Sequence, residues 1–334
     1  MTLSEVLTVS SVCPWLAAPW QSLQECIQQD RVAHALLIRG PKGVGKTQFA
    51  IRYAHRLLCQ NPKDEHACGQ CSACALLAAG THPDFQILAP EEEGKAIKVD
   101  SVRHLIQDMT LTPQFGGYRV VVIDRADALN ANAANALLKS LEEPPEGTVI
   151  ILVTDRPHQL PATIRSRCRS LAIRAVRQEE ALEWLAEQGV HGEASGLLCA
   201  ASGSPLGALS LRGTDSSATR LLRFEDMMGV ISGKLDPLAI AEVWATQAVE
   251  MDLAWLASWF LDGARLGLTE GHASIRNHDV LEPLQNLARR VSAQFLLTSY
   301  ERVLRCQEAL RGPANRQLVF EEFFIFLGEG GRRG

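Results

Sequence analysis

One segment constrains this chain more than any other: residues 40–47 read GPKGVGKT. The segment matches the phosphate-binding pattern G-x-x-x-x-G-K-[ST] at every fixed position. An apolar run at 35–38 precedes it, and a helical pattern at 48–58 follows it. This is the strand–loop–helix setting in which the pattern cradles phosphate, so the sequence predicts an α/β fold around a nucleotide. The alternative is an ordinary glycine-rich turn.

The glycines, the lysine and the threonine of that loop each suit phosphate or metal binding for a chemical reason. Gly40, Gly43 and Gly45 let the backbone curve around phosphate oxygens with its N–H groups pointing inward. The N-terminus of the following helix adds a partial positive charge. We expect Lys46 to reach the β- and γ-phosphates and Thr47 to bind Mg²⁺. ATP or ADP with Mg²⁺ is therefore the expected ligand.

The rest of the first half alternates short apolar runs with amphipathic segments. Further strands are predicted at 85–88, 120–123, 148–153 and 171–173. Helical patterns at 100–109 and 130–142 lie between them, which implies a parallel α/β sheet. Beyond about residue 175 the strand-like runs stop, and the pattern is helical almost to the end of the chain.

Composition narrows the class of protein. With 46% hydrophobic and 21% charged residues, the 334-residue chain is typical of a globular protein. A net charge of -5 argues against a protein that coats nucleic acid by itself. The most apolar segment, 249–268, contains Asp252, Asp262 and Arg265, so no membrane span is predicted. The N-terminus carries Glu5 and lacks the basic segment of a signal peptide. We therefore expect a cytoplasmic protein with no membrane partner.

A second apolar strand ends in an acid. Residues 120–124 read VVVID, and Asp124 is expected to orient Mg²⁺. Many ATPases place a glutamate next to such an aspartate to orient the attacking water. This chain has Arg125 there, and a guanidinium cannot accept a proton. We expect no ATP hydrolysis by this chain alone. The alternatives are that Asp124 is a plain strand-end acid and that the base comes from elsewhere.

Four cysteines form a spaced cluster. Cys59, Cys68, Cys71 and Cys74 follow the pattern C-x8-C-x2-C-x2-C. Four thiolates around one point favour tetrahedral Zn²⁺. No open coordination position is predicted, so the metal is expected to be structural. An iron–sulfur cluster and a coincidental group of free thiols are the alternatives.

The segment 164–169 reads IRSRCR and follows the last long apolar run. Its arginines need anionic partners or solvent, and a solvated charge run is the generic interpretation. A combination of motifs makes the segment more specific. Four motifs occur in this order: the phosphate-binding loop, or P-loop, at 40–47, the cysteine module at 59–74, NALLKSLEEPP at 135–145 and the triplet SRC at 166–168. Together they resemble the bacterial DNA polymerase III clamp-loader family of AAA+ proteins.

The resemblance covers most of residues 15–210 and implies the domain organisation. It indicates an AAA+ parallel-sheet domain at 1–174 with a zinc module inserted at 59–74. A small helical lid is expected at 175–211 and an all-α collar domain at 212–334.

Within that family the chain resembles the delta-prime type more than the gamma/tau motor type. Motor subunits carry Asp-Glu where this chain has Asp124-Arg125. They also carry a sensor-2 arginine after a Gly-Ser pair, whereas Gly203-Ser204 is followed here by Pro205-Leu206-Gly207. The intact P-loop is less expected for this type, so nucleotide binding stays open.

The resemblance also implies a mechanism. Arg167 matches an arginine that projects into the ATP site of a neighbouring motor subunit, and Thr154 matches the sensor-1 position. The chain would act with gamma/tau and delta subunits in a hetero-pentameric ring within the DNA polymerase III holoenzyme. That ring uses ATP to open a sliding clamp and load it onto primed DNA. The rival hypotheses are a self-sufficient AAA+ ATPase, such as the motor subunit, and a zinc-stapled scaffold with a vestigial nucleotide site.

Overall fold

The structure is a computed structural model that describes residues 13–92, 94–115, 117–246, 249–269, 275–310 and 312–331. The described chain divides between Val176 and Arg177 into two compact units. The predicted three-part division at 174 and 211 stays a prediction.

A parallel sheet forms the centre of the first unit. Its strands are β1 (Ala35–Arg39), β2 (Phe85–Leu88), β3 (Arg119–Ile123), β4 (Thr148–Thr154) and β5 (Arg169–Ala172). Their order is β2-β3-β4-β1-β5, and every pair is parallel. All residues of β3 and β4 are buried, as expected for central strands covered on both faces. The predicted α/β fold class is confirmed.

Helices of the first unit alternate with the strands. They are α1 (Ala17–Gln28), α2 (Lys46–Leu58), α3 (Ser72–Ala78), α4 (Val99–Met109), α5 (Ala131–Glu142) and α6 (Ala162–Arg165). Asn130 caps α5, because its side chain accepts a hydrogen bond from the Ala133 N–H at 2.8 Å. The helix ends just before Pro144, which cannot continue it.

The two faces of the sheet bury different helices. Val121 and Ile123 of β3 belong to a core cluster with residues of α4 and α5 such as Leu105 and Leu137. The helix α2 packs on β3 and β4 and contributes the fully buried Phe49. Because α2 begins at the end of the P-loop, this packing fixes the loop relative to the sheet.

Helices alone build the described part of the second unit. They are α7 (Gln178–Glu187), α8 (Ala194–Ala200), α9 (Pro205–Ser210), α10 (Ser216–Ile231), α11 (Pro237–Ala245), α12 (Val249–Leu268), α13 (Leu281–Arg290), α14 (Ala293–Ala309) and α15 (Arg316–Gly331). Trp244, Trp255, Trp259 and Phe320 are buried in one shared core. Across the described ranges, every helix is too short or too polar to span a lipid bilayer.

Charged groups are buried inside this helical core. Arg223 on α10 lies 3.2 Å from Asp226 and 3.6 Å from Asp252, both measured between side-chain nitrogen and oxygen. Its guanidinium also lies 4.9 Å from the centre of the Trp244 ring. Burial is the main cause that raises the pKa of Asp252 to about 6, and the negative charge of Asp226 adds to the rise. The positive charge of Arg223 acts in the opposite direction. A carboxyl group with a raised pKa is harder to ionise in the folded protein than in the unfolded chain.

We expect Asp252→Asn to change the pH dependence of stability. The pKa of Asp252 in the folded protein, about 6, lies above the ordinary aspartate value of 3.8, so the folded protein binds more protons between these two pH values. The stability that Asp252 contributes therefore falls as pH rises through that window and is level above it. The asparagine variant lacks this slope. Unfolding by urea, followed by tryptophan fluorescence at pH ~4.5 to ~7.5, measures the difference.

Glu250→Gln is the matched control, since Glu250 is an exposed acid on the same helix. It should keep the wild-type slope. A constant stability difference between wild type and Asp252→Asn across the whole range would contradict the prediction.

Candidate functional site

The P-loop adopts a conformation that only glycine accommodates easily. Gly43 and Gly45 have φ values of +73° and +90°, in the left-handed region. A Cβ atom on Gly40 would collide with the carbonyl oxygen of Ile173. Gly40 and Gly45 are the fixed glycines of the motif, and Gly43 is the third glycine predicted to shape the loop. Their placement supports a loop whose backbone can approach a ligand closely.

Two of the predicted Mg²⁺-binding residues lie in direct contact. The Thr47 hydroxyl at the start of α2 donates to Oδ1 of Asp124, just after β3, at 2.7 Å. The Arg125 backbone N–H donates to the same oxygen at 3.0 Å. Burial raises the pKa of Asp124, while these two hydrogen bonds act in the opposite direction. The pair offers one hydroxyl and one carboxylate oxygen to a hard cation.

The predicted sensor residue sits at the end of β4. Thr154 is buried, and its hydroxyl donates to Oδ1 of Asp127 at 2.6 Å. The same hydroxyl accepts from the Arg156 N–H at 3.0 Å. Asp127 is not among the site residues predicted from the sequence. Its position three residues after Asp124 placed it near the site, but its partner could not be read from spacing.

Lys46 is engaged by the chain itself. Its side chain is 3% exposed, and its amine forms an ion pair with Asp155 and donates to the Pro41 carbonyl. Asp155 directly follows Thr154 and is 30% exposed. A phosphate bound in the loop would have to take the place of this carboxylate at Lys46. Asp155 is the second site residue not predicted from the sequence.

The four predicted cysteines meet at one point. Cys59 directly follows α2, and Cys71 caps the N-terminus of α3. Cys68 and Cys74 complete the group. All four sulfur atoms lie within 4.8 Å of one another. Two sulfur pairs, Cys59–Cys71 and Cys68–Cys74, are 3.9 Å apart. A tetrahedron with metal–sulfur bonds of ~2.3 Å has edges of ~3.8 Å, so the group fits a thiolate-bound metal ion.

Backbone N–H groups surround these sulfurs. Those of Cys68 and Cys71 donate to the sulfurs of Cys59 and Cys68, at 3.2 and 3.3 Å respectively. Burial alone would raise the pKa of the Cys71 thiol. Hydrogen bonds, among them those from the backbone N–H groups of Cys74 and Gln60, lower it more, so that the pKa is about 6. Thiolates, not thiols, are the species that bind metals.

Aromatic stacking joins the cysteine module to the neighbouring helices. His66, between Cys59 and Cys68, stacks on Trp20 of α1 with ring centres 6.1 Å apart. The Arg52 guanidinium of α2 lies 4.0 Å from the centre of the Trp20 ring. One of its terminal nitrogens lies 2.9 Å from Nδ1 of His66. The module therefore rests on the same helix that begins at Lys46.

The predicted arginine finger lies at the opposite edge of the sheet. Arg169 pairs with Leu36 and Ala172 with Arg39, so β5 runs in the same direction as β1. Arg167 precedes the start of β5, whereas Lys46 follows the end of β1. The stretch of β1 that pairs with β5, from Leu36 to Arg39, is about 10 Å long, so the two ends of these strands are at least that far apart. Of the predicted residues, those of the P-loop, Asp124 and Thr154 share the carboxyl edge, and Arg167 does not.

Arg167 has partners of its own. Its Nε donates to Oε1 of Glu142 at 2.5 Å, and its Nη2 forms an ion pair with the same oxygen. Its Nη1 donates to the Thr163 carbonyl at 2.8 Å. Glu142 belongs to the LEEPP stretch, so two of the family-specific motifs contact each other. Both motifs supported the same family resemblance, but their contact could not be predicted from the sequence.

The fold and the loop define a class: a P-loop α/β protein of the AAA+ type with a helical C-terminal unit. Two protein-family models match this chain. They are described as "DNA polymerase III, delta subunit", over residues 16–177, and "DNA polymerase III, delta subunit, C terminal", over residues 220–327. The chain belongs to the family of DNA polymerase III delta-prime subunits. The resemblance predicted from the motifs is confirmed.

Full-length relatives carry this assignment. The DNA polymerase III subunit delta' of Pseudomonas aeruginosa is 36% identical over 322 residues, 95% of this chain and 97% of that protein. The Escherichia coli subunit delta' is 34% identical over 318 residues, 93% of this chain and 94% of that protein. Subunit tau of Bacillus subtilis is 32% identical over 232 residues, 67% of this chain but 40% of that protein. The match to delta' thus extends over both proteins, and the match to tau does not.

Proposed function

We propose that this chain acts as the non-motor delta-prime subunit of the clamp loader and supplies Arg167 to the ATP site of a neighbouring subunit. The position of Arg167 carries the proposal. It lies at the amino edge of a parallel sheet, whereas nucleotides bind such folds at the carboxyl edge. A guanidinium there serves another subunit's triphosphate, where it stabilises charge that develops on the transferring phosphoryl group.

The chain's own nucleotide site supports binding without turnover. Thr47 and Asp124 are already in contact, which suits Mg²⁺ with ATP or ADP. Arg125 occupies the position where a water-orienting carboxylate would stand. The nearby carboxylate of Asp127 is engaged by the Thr154 hydroxyl instead. The proposed site therefore holds a nucleotide and does not hydrolyse it efficiently.

The partners follow from the family. Gamma/tau and delta subunits would complete a five-membered ring that opens the sliding clamp and places it on primed DNA. The similarity to subunit tau over the shared part of the two chains suits a ring of related subunits. The net charge of -5 fits a subunit that shares any DNA contact with its neighbours.

The finger role predicts that Arg167→Ala abolishes nearly all ATP hydrolysis at one site of the reconstituted clamp loader. Arginine fingers contribute about 10³- to 10⁵-fold to turnover at the site they serve. Clamp- and DNA-stimulated ATP hydrolysis should therefore fall by the share of that one site. Arg167→Lys should behave similarly, because an ammonium lacks the planar fork of donors.

Arg165→Ala is the matched control, since Arg165 is an exposed arginine two positions away. It should leave the rate unchanged. Unchanged hydrolysis in the Arg167→Ala complex would show that the finger role is wrong.

Nucleotide binding to the isolated chain should respond to the residues around Lys46. Lys46→Ala removes the amine that pairs with phosphate, and we expect affinity for Mg-ATP to fall at least about tenfold. Asp155→Asn removes the competing carboxylate, and we expect affinity to rise about threefold or more. Isothermal titration with Mg-ATP measures both, and a coupled assay measures hydrolysis.

Glu146→Gln, an exposed acid at the amino edge, should bind Mg-ATP like wild type. No binding by wild type would favour the zinc-stapled scaffold. Steady hydrolysis abolished by Lys46→Ala would favour the self-sufficient ATPase.

We also propose that Cys59, Cys68, Cys71 and Cys74 hold one structural Zn²⁺. The purified chain should contain about one zinc per molecule, and Cys71→Ser should lose most of it because a hydroxyl is a poor ligand for this ion. Metal analysis with thermal unfolding tests both effects, since metal binding contributes to folding. Cys306→Ser, at a buried cysteine of the helical unit, should keep its zinc. Iron with visible absorbance would instead indicate an iron–sulfur cluster.

A further inference from the structure

Glu142 and Arg167 form a defined contact at the amino edge of the sheet. One carboxylate oxygen accepts from Nε and Nη2, which form one side of the guanidinium. The Thr163 carbonyl accepts from Nη1. The Arg167 side chain is 33% exposed and that of Glu142 is 47% exposed. The pair is thus fixed on one side and open to a neighbour on the other.

The contacts leave the arginine able to bind a further anion. A guanidinium carries five N–H groups. The contacts within the described chain use the Nε–H and one N–H on each terminal nitrogen. A second N–H on each of Nη1 and Nη2 is left for phosphate oxygens. Glu142 therefore holds the guanidinium without taking the donors that a finger needs.

Glu142 is placed on a rigid element. It is the last residue of α5, and its neighbour Leu141 is 1% exposed in the core of the first unit. Arg167 lies on the short connection between α6 and β5. A carboxylate at a helix C-terminus is unfavourable with respect to the helix dipole. Pairing with Arg167 compensates for that unfavourable position.

We propose that Glu142 is a positioning residue for Arg167. It orients the guanidinium plane toward the phosphates of the adjoining subunit, and it does not touch them itself. The inference rests on the finger role proposed above. A long side chain on a short loop samples many rotamers, and a misplacement of ~1 Å at a reacting centre can cost up to ~10²-fold in rate.

The reconstituted clamp loader with its clamp and primed DNA tests the inference. Glu142→Gln should lower the Arg167-dependent part of ATP hydrolysis, the wild-type kcat minus that of Arg167→Ala, about three- to tenfold, because the contact is partly exposed, with KM for ATP unchanged. Glu143→Gln, an exposed neighbour, should match wild type. The double variant Glu142→Gln with Arg167→Ala should equal Arg167→Ala alone, since a positioning residue has no effect without the residue it positions.

Each other outcome has a distinct meaning. If Arg167→Ala has no effect, the finger role fails and the inference fails with it. If Arg167→Ala is impaired but Glu142→Gln equals wild type, only the positioning role is wrong. A faster Glu142→Gln complex would mean that Glu142 restrains the arginine, which overturns the inference. A double variant slower than Arg167→Ala would assign Glu142 a separate structural role and would also overturn it.

Thermal unfolding of each free variant and size-exclusion analysis of each complex check folding and assembly. If Glu142→Gln does not assemble, Glu142→Asp replaces it. That variant keeps the charge but shortens the reach, and the same loss in kcat is expected. A wild-type rate for an assembled Glu142→Asp complex would then count against the inference.

Discussion

The parallel pairing of β1, β4 and β5 is the constraint on which the site depends. Parallel strands bring all their carboxyl ends to one edge, so the P-loop after β1 and Thr154 at the end of β4 become neighbours. The same pairing sends the start of β5, and Arg167 before it, to the other edge. One sheet direction therefore places the residues of the proposed nucleotide site at one edge and the proposed arginine finger at the other.

Polar groups at the carboxyl edge are satisfied within the chain. Lys46 pairs with Asp155, and Thr154 donates to Asp127. A buried amine without a partner would cost several kcal/mol, so this pairing stabilises the loop when no phosphate is bound. A nucleotide at the proposed site would have to replace these contacts. The affinity of the site is thus set by a difference between two sets of partners.

Local pattern predicted much of this molecule, because its signals lie within short stretches. The P-loop, the strand at β3 and the cysteine spacing are each readable from neighbouring residues, and the structure brings the four sulfurs together as expected. The pairings of Lys46 with Asp155 and of Glu142 with Arg167 were not readable. They join residues far apart in sequence, and their contact depends on strand order and on where α5 ends. Spacing contains no information about either.

The helix α5 runs from the carboxyl edge of the sheet, near Asp124, to the amino edge, just before β4. It begins a few residues after Asp124 and ends at Glu142, a span of about 18 Å for its twelve residues. Leu137 and Leu141 are buried against the sheet, so the helix cannot shift without disturbing the core. The Glu142 carboxylate that contacts Arg167 is therefore held on an element that the core keeps in place.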